Sequence, residues 1–175
     1  MIKNKKHFIF TIVVVTLAVA INVFIIVHSC LNGKLSTNES GKIVTLLKTI
    51  INAFSKDAIN EGNIDTFTHV VRKLVGHFGL FVFSGAFSTW ALHLSSYYLN
   101  KYKWWYGLIF TLFFGLFLAS TTEFIQVFVP GRSGQVTDVL IDYSGYVLGT
   151  GTVVLILFIL YKKGKITLQN EKNRI

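Results

Sequence analysis

The chain has little charge, one cysteine and one proline. Lysine, arginine, aspartate and glutamate make up 14% of its 175 residues, whereas soluble domains carry about 25%. The lone Cys30 excludes a disulfide within the chain and argues against a cysteine-based metal site. The proline, Pro130, lies in a polar stretch between two of the most apolar segments. With 52% hydrophobic residues, this composition indicates a membrane protein.

Four apolar stretches are long enough to cross a bilayer, which takes about 20 mostly apolar residues. They cover residues 8–28, 74–95, 104–122 and 139–161, each to within a few positions. Each must be helical in hydrocarbon, because no water is present there to bond a bare backbone. We see no internal repeat and no low-complexity segment, and we therefore predict a single domain over residues 1–175.

The connection between the first two spans contains a further apolar pattern. Residues with helical spacing within it are Ile43, Leu46, Leu47, Ile50 and Phe54. This run is too short to span a membrane and predicts an amphipathic helix at about 42–59. The helix either lies on the membrane interface or packs over the bundle as a lid. The predicted fold is therefore all-α: an integral membrane four-helix bundle with an extra amphipathic interfacial helix in the first outer connection.

Basic residues cluster in three segments that four spans place on one side of the membrane. These segments carry Lys3, Lys5 and Lys6, then Lys101 and Lys103, then Lys162, Lys163, Lys165, Lys172 and Arg174. The positive-inside rule assigns this side to the cytoplasm, so both termini are predicted to be cytoplasmic. The net charge of +9 then reflects basic ends beside anionic membrane lipids, and no nucleic-acid partner is predicted.

Ionisable groups in or beside membrane spans are costly and usually face a bundle interior or a wet cavity. Lys73 and His77 are four residues apart near the start of the second span, so they share a helical face. Glu123 and Gln126 are one turn apart at the end of the third span. Each has a simpler reading as well: Lys73 snorkels to the interface, His77 is a hydrogen-bonded core residue, and Glu123 meets water.

The turn before the fourth span brings another cation close to a pair of carboxylates. Pro130 and Gly131 force the turn, and Arg132 follows at once. An arginine displayed there pairs with a carboxylate or receives an anionic ligand through its fork. Asp138 and Asp142 are four residues apart on the next helix. Asp138 could serve only as a helix cap, as could Thr137, whereas Asp142 lies a full turn inside an apolar helix.

The same face of the fourth span continues with two glycines. Gly145 and Gly149 repeat the four-residue step, and small residues at this spacing let helices approach closely. Close packing would press Asp142 against a neighbouring helix, where it needs a partner. The predicted result is one polar site near the outer membrane face, made of Lys73, His77, Glu123, Gln126, Arg132, Asp138 and Asp142.

Two segments resemble a known family of small bacterial membrane proteins. They are RKLVGHF, starting at Arg72, and TEFIQVFVPGRSGQVTDVLIDYSGYVLG, from Thr122 to Gly149. The acidic residue, the glutamine, the proline-glycine-arginine turn and the later aspartate and glycines are similar in order to those of the VanZ-like family. That family takes its name from a protein conferring resistance to teicoplanin, a lipid-tailed glycopeptide antibiotic. The resemblance implies a protein of the bacterial cytoplasmic membrane that acts at the cell envelope.

Four functions are compatible with these residues. The favoured one is a binding module whose outward-facing polar site engages an amphiphile, either the antibiotic or a lipid-linked wall precursor. The second is an intramembrane enzyme acting on a lipid-phosphate or wall precursor, with His77 or Glu123 as general base and Arg132 stabilising developing charge. The others are an oligomeric transporter and a structural charge network. No cofactor is predicted, and no metal, because no metal-ligand spacing such as HExxH occurs. The alternative is that the His and carboxylate set holds a divalent metal, with its oxygen ligands favouring magnesium or calcium.

Overall fold

A computed structural model describes residues 5–96 and 104–163. Its elements are α1 (Lys5–Ser29), α2 (Gly33–Phe54), α3 (Ile64–Val71), a π-helical segment (Arg72–Gly79), α4 (Leu80–Ser96), α5 (Trp104–Val127) and α6 (Val136–Lys162). The described residues contain no strand. The predicted all-α fold is confirmed.

Four helical stretches are long and apolar enough to cross a membrane. They are Lys5–Ser29, Ile64–Ser96, Trp105–Val127 and Val136–Lys162. The chain is therefore a multi-pass membrane protein, as predicted. The second stretch begins at Ile64 and not near residue 74, because the polar segment before Leu74 is also helical. At 33 residues it is about 50 Å long, compared with about 30 Å of hydrocarbon, so part of it extends beyond the apolar layer.

Helix α4 lies at the centre of the bundle and contacts α1, α5 and α6. Its closest contact is with α6, where the two backbones touch. A Cβ atom added to Gly145 would clash with the carbonyl of Phe78, and one added to Gly149 would clash with that of Val82. The glycine face predicted on the fourth span is thus the surface along which α6 meets the second span.

The bundle interior combines an apolar cluster with polar bonds between helices. The cluster consists of Ile25, Phe81, Leu118, Ala119 and Tyr146, with at least one residue from each of α1, α4, α5 and α6. On α1, one turn before Ile25, the side-chain amide of Asn22 donates through Nδ2 to Ser88 Oγ at 3.1 Å and accepts through Oδ1 from Ser84 Oγ at 2.8 Å. Such bonds hold helices together in membranes, where hydrophobic association between helices is weak.

The amphipathic helix differs from the prediction at both ends. It starts at Gly33 and ends at Phe54, whereas residues 42–59 were expected. It stops early because the Asn52 side chain both accepts from the amide of Ile59 and donates to its carbonyl, closing a turn. Asp57 adopts a positive φ of 58° inside that turn. The apolar stripe is largely solvent-accessible in the chain, with Leu46 61% and Phe54 90% exposed.

Candidate functional site

The loop between α5 and α6 packs against the connection between α1 and α2. Gly131 takes a positive φ of 75°, the left-handed conformation in which glycine is favoured. The carbonyl of Pro130 then accepts a hydrogen bond of 3.1 Å from the amide of Gly33. The two glycines touch, since a Cβ on Gly33 would clash with the carbonyl of Gly131. The loop therefore turns back onto the bundle and does not extend away from it.

Arg132 binds the carboxyl end of α1. Its Nη1 donates to the carbonyl of His28 at 2.9 Å and makes a longer contact of 3.5 Å with that of Leu31. Cations are favoured at this end of a helix, where the carbonyls have no partner within the helix. Burial, followed by the nearby Arg72, lowers the pKa of Arg132 below its ordinary value, yet a guanidinium keeps its charge at neutral pH.

The second and fourth spans meet through two matched pairs of side chains. Lys73 Nζ lies 2.7 Å from Asp138 Oδ1. One turn deeper, His77 Nδ1 lies 3.1 Å from Asp142 Oδ1. Both pairs join residues that are 65 positions apart, so the two helices run in the same direction and in a constant register. The four-residue spacing on each helix produces this alignment.

Glu123 links the third span to the other two. Its Oε1 lies 3.7 Å from His77 Nδ1 and accepts a bond of 3.0 Å from Gln126 Nε2. Its Oε2 accepts a bond of 3.0 Å from the backbone amide of Gln135, the N-cap residue of α6. The alternative in which Asp138 or Thr137 caps this helix is therefore wrong. A carboxylate from the preceding helix binds an amide at the start of α6 instead.

The charged residues of this region differ strongly in burial. Glu123 is 3% exposed and Asp142 is 1% exposed. The side chain of His77 is 18% exposed, and that of Lys73 is 34% exposed. Lys73 and Asp138 thus form a partly accessible outer pair, whereas Asp142 and Glu123 face His77 inside the protein.

A partly enclosed cavity of about 40 Å³ opens beside His77. Its walls are formed by Ile25, His28, Ser29, Arg72, Gly76, His77, Leu80, Phe81, Thr122, Gln126, Arg132 and Asp142. We call it the polar pocket. It has space for a few water-sized groups. None of the described residues of α2 lines it, which does not favour the lid arrangement.

The structure places the seven predicted site residues in one region but not all in the polar pocket. His77, Gln126, Arg132 and Asp142 line it, and Glu123 contacts His77 and Gln126 from behind. Lys73 instead lines a shallower, more apolar cavity together with His69. Arg132 contacts backbone carbonyls, and within the described residues it forms no ion pair with a carboxylate.

Two wall residues of the pocket, Arg72 and His28, were not predicted. Arg72 directly precedes Lys73 in RKLVGHF, and the four-residue spacing selects Lys73, which shares a face with His77. His28 ends the first span, and only the fold brings this end of α1 against the loop of Arg132. Each is a basic or polar residue at one edge of an apolar run, and this placement is the signal that could have identified them.

Three kinds of chemistry are available at the polar pocket. Arg72, Arg132 and His28 provide cationic or polar wall groups for an anion. His77, held by Asp142, has the geometry of a base oriented by a carboxylate. One ligand atom each from His77, Glu123 and Asp142 lie within 4.8 Å of one another, so these residues also have the spacing of a metal site.

Comparison with protein-family models gives a match to the family described as VanZ/LLP1 over residues 8–160. This range contains all but a few terminal residues of the first and fourth spans, the whole of the other two, and every wall residue of the polar pocket. Comparisons with curated proteins and with solved structures give no match.

Proposed function

The chain belongs to the VanZ/LLP1 family of membrane proteins, and we propose that it binds the anionic head of an amphiphile at the outer face of the bacterial cytoplasmic membrane. The observation that carries this proposal is the presence of two guanidinium groups, Arg72 and Arg132, in the wall of one small pocket. They come from separate parts of the chain and meet only through folding. Guanidinium groups match phosphate and carboxylate oxygens through their planar fork.

The size of the pocket supports a partly inserted head group. A cavity of about 40 Å³ has space for a few water-sized groups, such as the oxygens of a phosphate or carboxylate. The rest of the ligand would lie above the pocket at the membrane interface. The exposed apolar stripe of α2, with Leu46 and Phe54, fits a helix resting on that interface beside the ligand.

The proposed orientation places the polar pocket outside the cell. The pocket lies at the end of the bundle where α1 ends and α6 begins. Lys5 and Lys6 at the start of α1 and Lys162 and Lys163 at the end of α6 belong to the opposite end, which would be cytoplasmic. The other residues of the three basic segments lie outside the described residues. A pocket in this position would be accessible, from outside the cell, to lipoglycopeptides such as teicoplanin and to lipid-linked wall precursors. We propose protection against such antibiotics as the biological outcome.

Growth inhibition of a susceptible Gram-positive host by teicoplanin tests this function. We expect the wild-type chain to raise the inhibitory concentration, and Arg72→Gln and Arg132→Lys to return it to that of the empty host. Lysine keeps the charge of Arg132 but lacks the fork. A glycopeptide without a lipid tail should show a smaller effect, because the proposed ligand is an amphiphile.

Membrane abundance must be matched by immunoblot, because Arg132 also binds the end of α1. Arg72→Gln separates anion binding from helix contact, since Arg72 lines the pocket, whereas Arg132 also donates a hydrogen bond to the carbonyl of His28 at the end of α1. Lys48→Gln, on α2, is the matched control and should leave protection intact. Protection by the wild type that persists in both arginine variants at equal abundance would contradict the proposed anion site.

An enzyme acting on a lipid-phosphate substrate is the second candidate. It is favoured by one observation, the 3.1 Å contact between His77 Nδ1 and a buried carboxylate of Asp142 beside the pocket. His77 would be the general base, and the arginines would stabilise charge that develops on the phosphate. Turnover of a lipid phosphate by purified protein, lost in Glu123→Gln, would favour this function over binding alone.

A further inference from the structure

Three helical segments bring one ligand-type atom each to a cluster at the polar pocket, with His77 and Asp142 in the pocket wall and Glu123 directly behind it. His77 comes from the π-helical segment, Glu123 from the end of α5 and Asp142 from the second turn of α6. His77 Nδ1 lies 3.1 Å from Asp142 Oδ1 and 3.7 Å from Glu123 Oε1. Two ligand atoms about 2.1 Å from a tetrahedral zinc ion lie roughly 3.4 Å apart. The two observed distances lie on either side of this value.

The charge of the cluster also calls for a cation. Two carboxylates, 3% and 1% exposed, face a single imidazole within membrane-spanning helices. In the part of the chain that the structure describes, neither carboxylate has a second ion-pair partner. Lys73 is engaged with Asp138 one turn away. With both carboxylates ionised and the imidazole protonated, the cluster would carry one excess negative charge, which is costly in this setting and which either a proton on one carboxylate or a bound cation would offset. A divalent cation would remove the excess.

We infer that His77, Glu123 and Asp142 bind one zinc ion. A nitrogen with two carboxylate oxygens is a donor set that zinc accepts, whereas magnesium prefers six oxygen ligands and retains its waters. Three protein ligands leave the fourth tetrahedral position open. His77 and Asp142 line the polar pocket, so this position would face the pocket and the walls that carry Arg72 and Arg132.

The identity of the fourth ligand rests on the proposed function, because an anionic head group in the pocket would place an oxygen there. The zinc site itself does not depend on that function. Metal would then contribute to head-group recognition together with the guanidinium groups, and the two requirements can be measured separately.

Glu123 already has the hydrogen bonds of an oriented ligand. Gln126 Nε2 donates to one of its oxygens at 3.0 Å, and the amide of Gln135 donates to the other at 3.0 Å. Partners that orient a ligand typically change metal affinity about 10–100-fold when removed. Gln126→Leu should therefore weaken zinc binding by about this factor without removing a ligand atom.

Zinc binding by the purified full chain tests the inference. The protein is prepared without a histidine tag, stripped with a chelator and placed in lipid nanodiscs. Zn²⁺ is then titrated against a chromophoric chelator with no amphiphile added. We expect one ion per chain, and a loss of roughly 100-fold or more in affinity in Asp142→Asn and Glu123→Gln. His69→Gln, which changes a histidine outside the polar pocket, is the control and should bind like the wild type.

Cobalt gives a second measurement that needs no variant. Co²⁺ bound to the wild-type chain should show the intense visible absorption of a tetrahedral ion, and Zn²⁺ should displace it. Absence of stoichiometric zinc, a weak octahedral cobalt spectrum, or unchanged affinity in both carboxylate variants would each overturn the inference. If zinc binds but the chain gives no protection against teicoplanin, the proposed function fails and the metal site stands. If the chain protects against teicoplanin but does not bind zinc, the metal site fails and the proposed function stands.

Discussion

At the residue scale, the site depends on a single imidazole. Among the groups that the structure describes, His77 is the one cationic partner of both Glu123 and Asp142. Removing one partner from a buried ion pair is costly because the other charge stays buried without compensation. Two buried carboxylates share this partner, so the loss of His77 would leave both without compensation. The outer pair of Lys73 and Asp138 is more accessible to water and therefore contributes less.

Replacing His77 by leucine should destabilise the protein more than any other neutral substitution in the site. We expect His77→Leu to lower the free energy of unfolding by about 3–5 kcal/mol. Lys73→Met should lower it less, because the Lys73 side chain is 34% exposed and water reaches this pair, although the Asp138 side chain is only 11% exposed. Denaturation of purified protein in detergent and chelator measures both. Equal losses in the two variants would show that burial of the carboxylates is not what makes His77 important.

The sequence identified these side chains but not all of their partners. The spacing of four on both helices predicted that Lys73 and His77 share a face, as do Asp138 and Asp142. It did not predict that Arg132 would bind the carbonyl of His28 at the end of α1. A pattern reports which residues of one helix point the same way, whereas the partner of a loop residue depends on which distant segment packs beside it.

At the element scale, the contact between α4 and α6 fixes the site. The pairs that join the second and fourth spans lie directly beyond the glycine crossing of Gly145 and Gly149. Because the backbones touch there, the register between the spans cannot slip without a clash. The crossing therefore determines which residue of α6 faces His77.

A side chain at the crossing should separate the two helices. Gly149→Leu is expected to destabilise the protein by about 3 kcal/mol, since its Cβ would clash with the carbonyl of Val82. Gly151→Leu, on the same helix, is the matched control, because a Cβ there meets nothing within 4 Å. Thermal melting of both variants measures the difference. A control that melts as early as Gly149→Leu would contradict a packing role for this crossing.

The sequence predicted the number of spans better than their ends. Hydropathy identified all four, because about 20 apolar residues leave few alternatives. It placed the start of the second span near residue 74, since Arg72 and Lys73 lower the mean hydropathy of a segment that is nonetheless helical. In the protein Lys73 pairs with Asp138 and Arg72 lines the polar pocket, and hydropathy does not measure either contact.

At the scale of the whole molecule, the proposed orientation relates the pocket to the cell exterior. The turn between α1 and α2 lies at the pocket end and contains Cys30, which is exposed. Lys162 and Lys163 lie at the end of α6, on the opposite side of the bundle. The lone cysteine of the sequence thus reports directly on which side of the membrane the pocket faces.

Labelling of Cys30 in intact cells should reveal the orientation. A membrane-impermeant maleimide is expected to label the wild-type chain without permeabilisation. In Cys30→Ser combined with Lys163→Cys, labelling should require permeabilised membranes. Labelled fractions are compared by gel after capture of the protein. The reverse pattern would place the pocket in the cytoplasm and would remove antibiotics acting outside the cell from the proposed ligands.

The π-helical segment Arg72–Gly79 has a consequence for the length of the chain. A π-helix bonds each residue to the fifth along, so it stores an extra residue relative to an α-helix. A chain one residue shorter there could run as an unbroken α-helix from α3 to α4, with both flanking helices in place. The side chains between them would turn to other faces, and Lys73 and His77 could no longer meet both aspartates. Deleting one residue from this segment would therefore displace several site side chains at once.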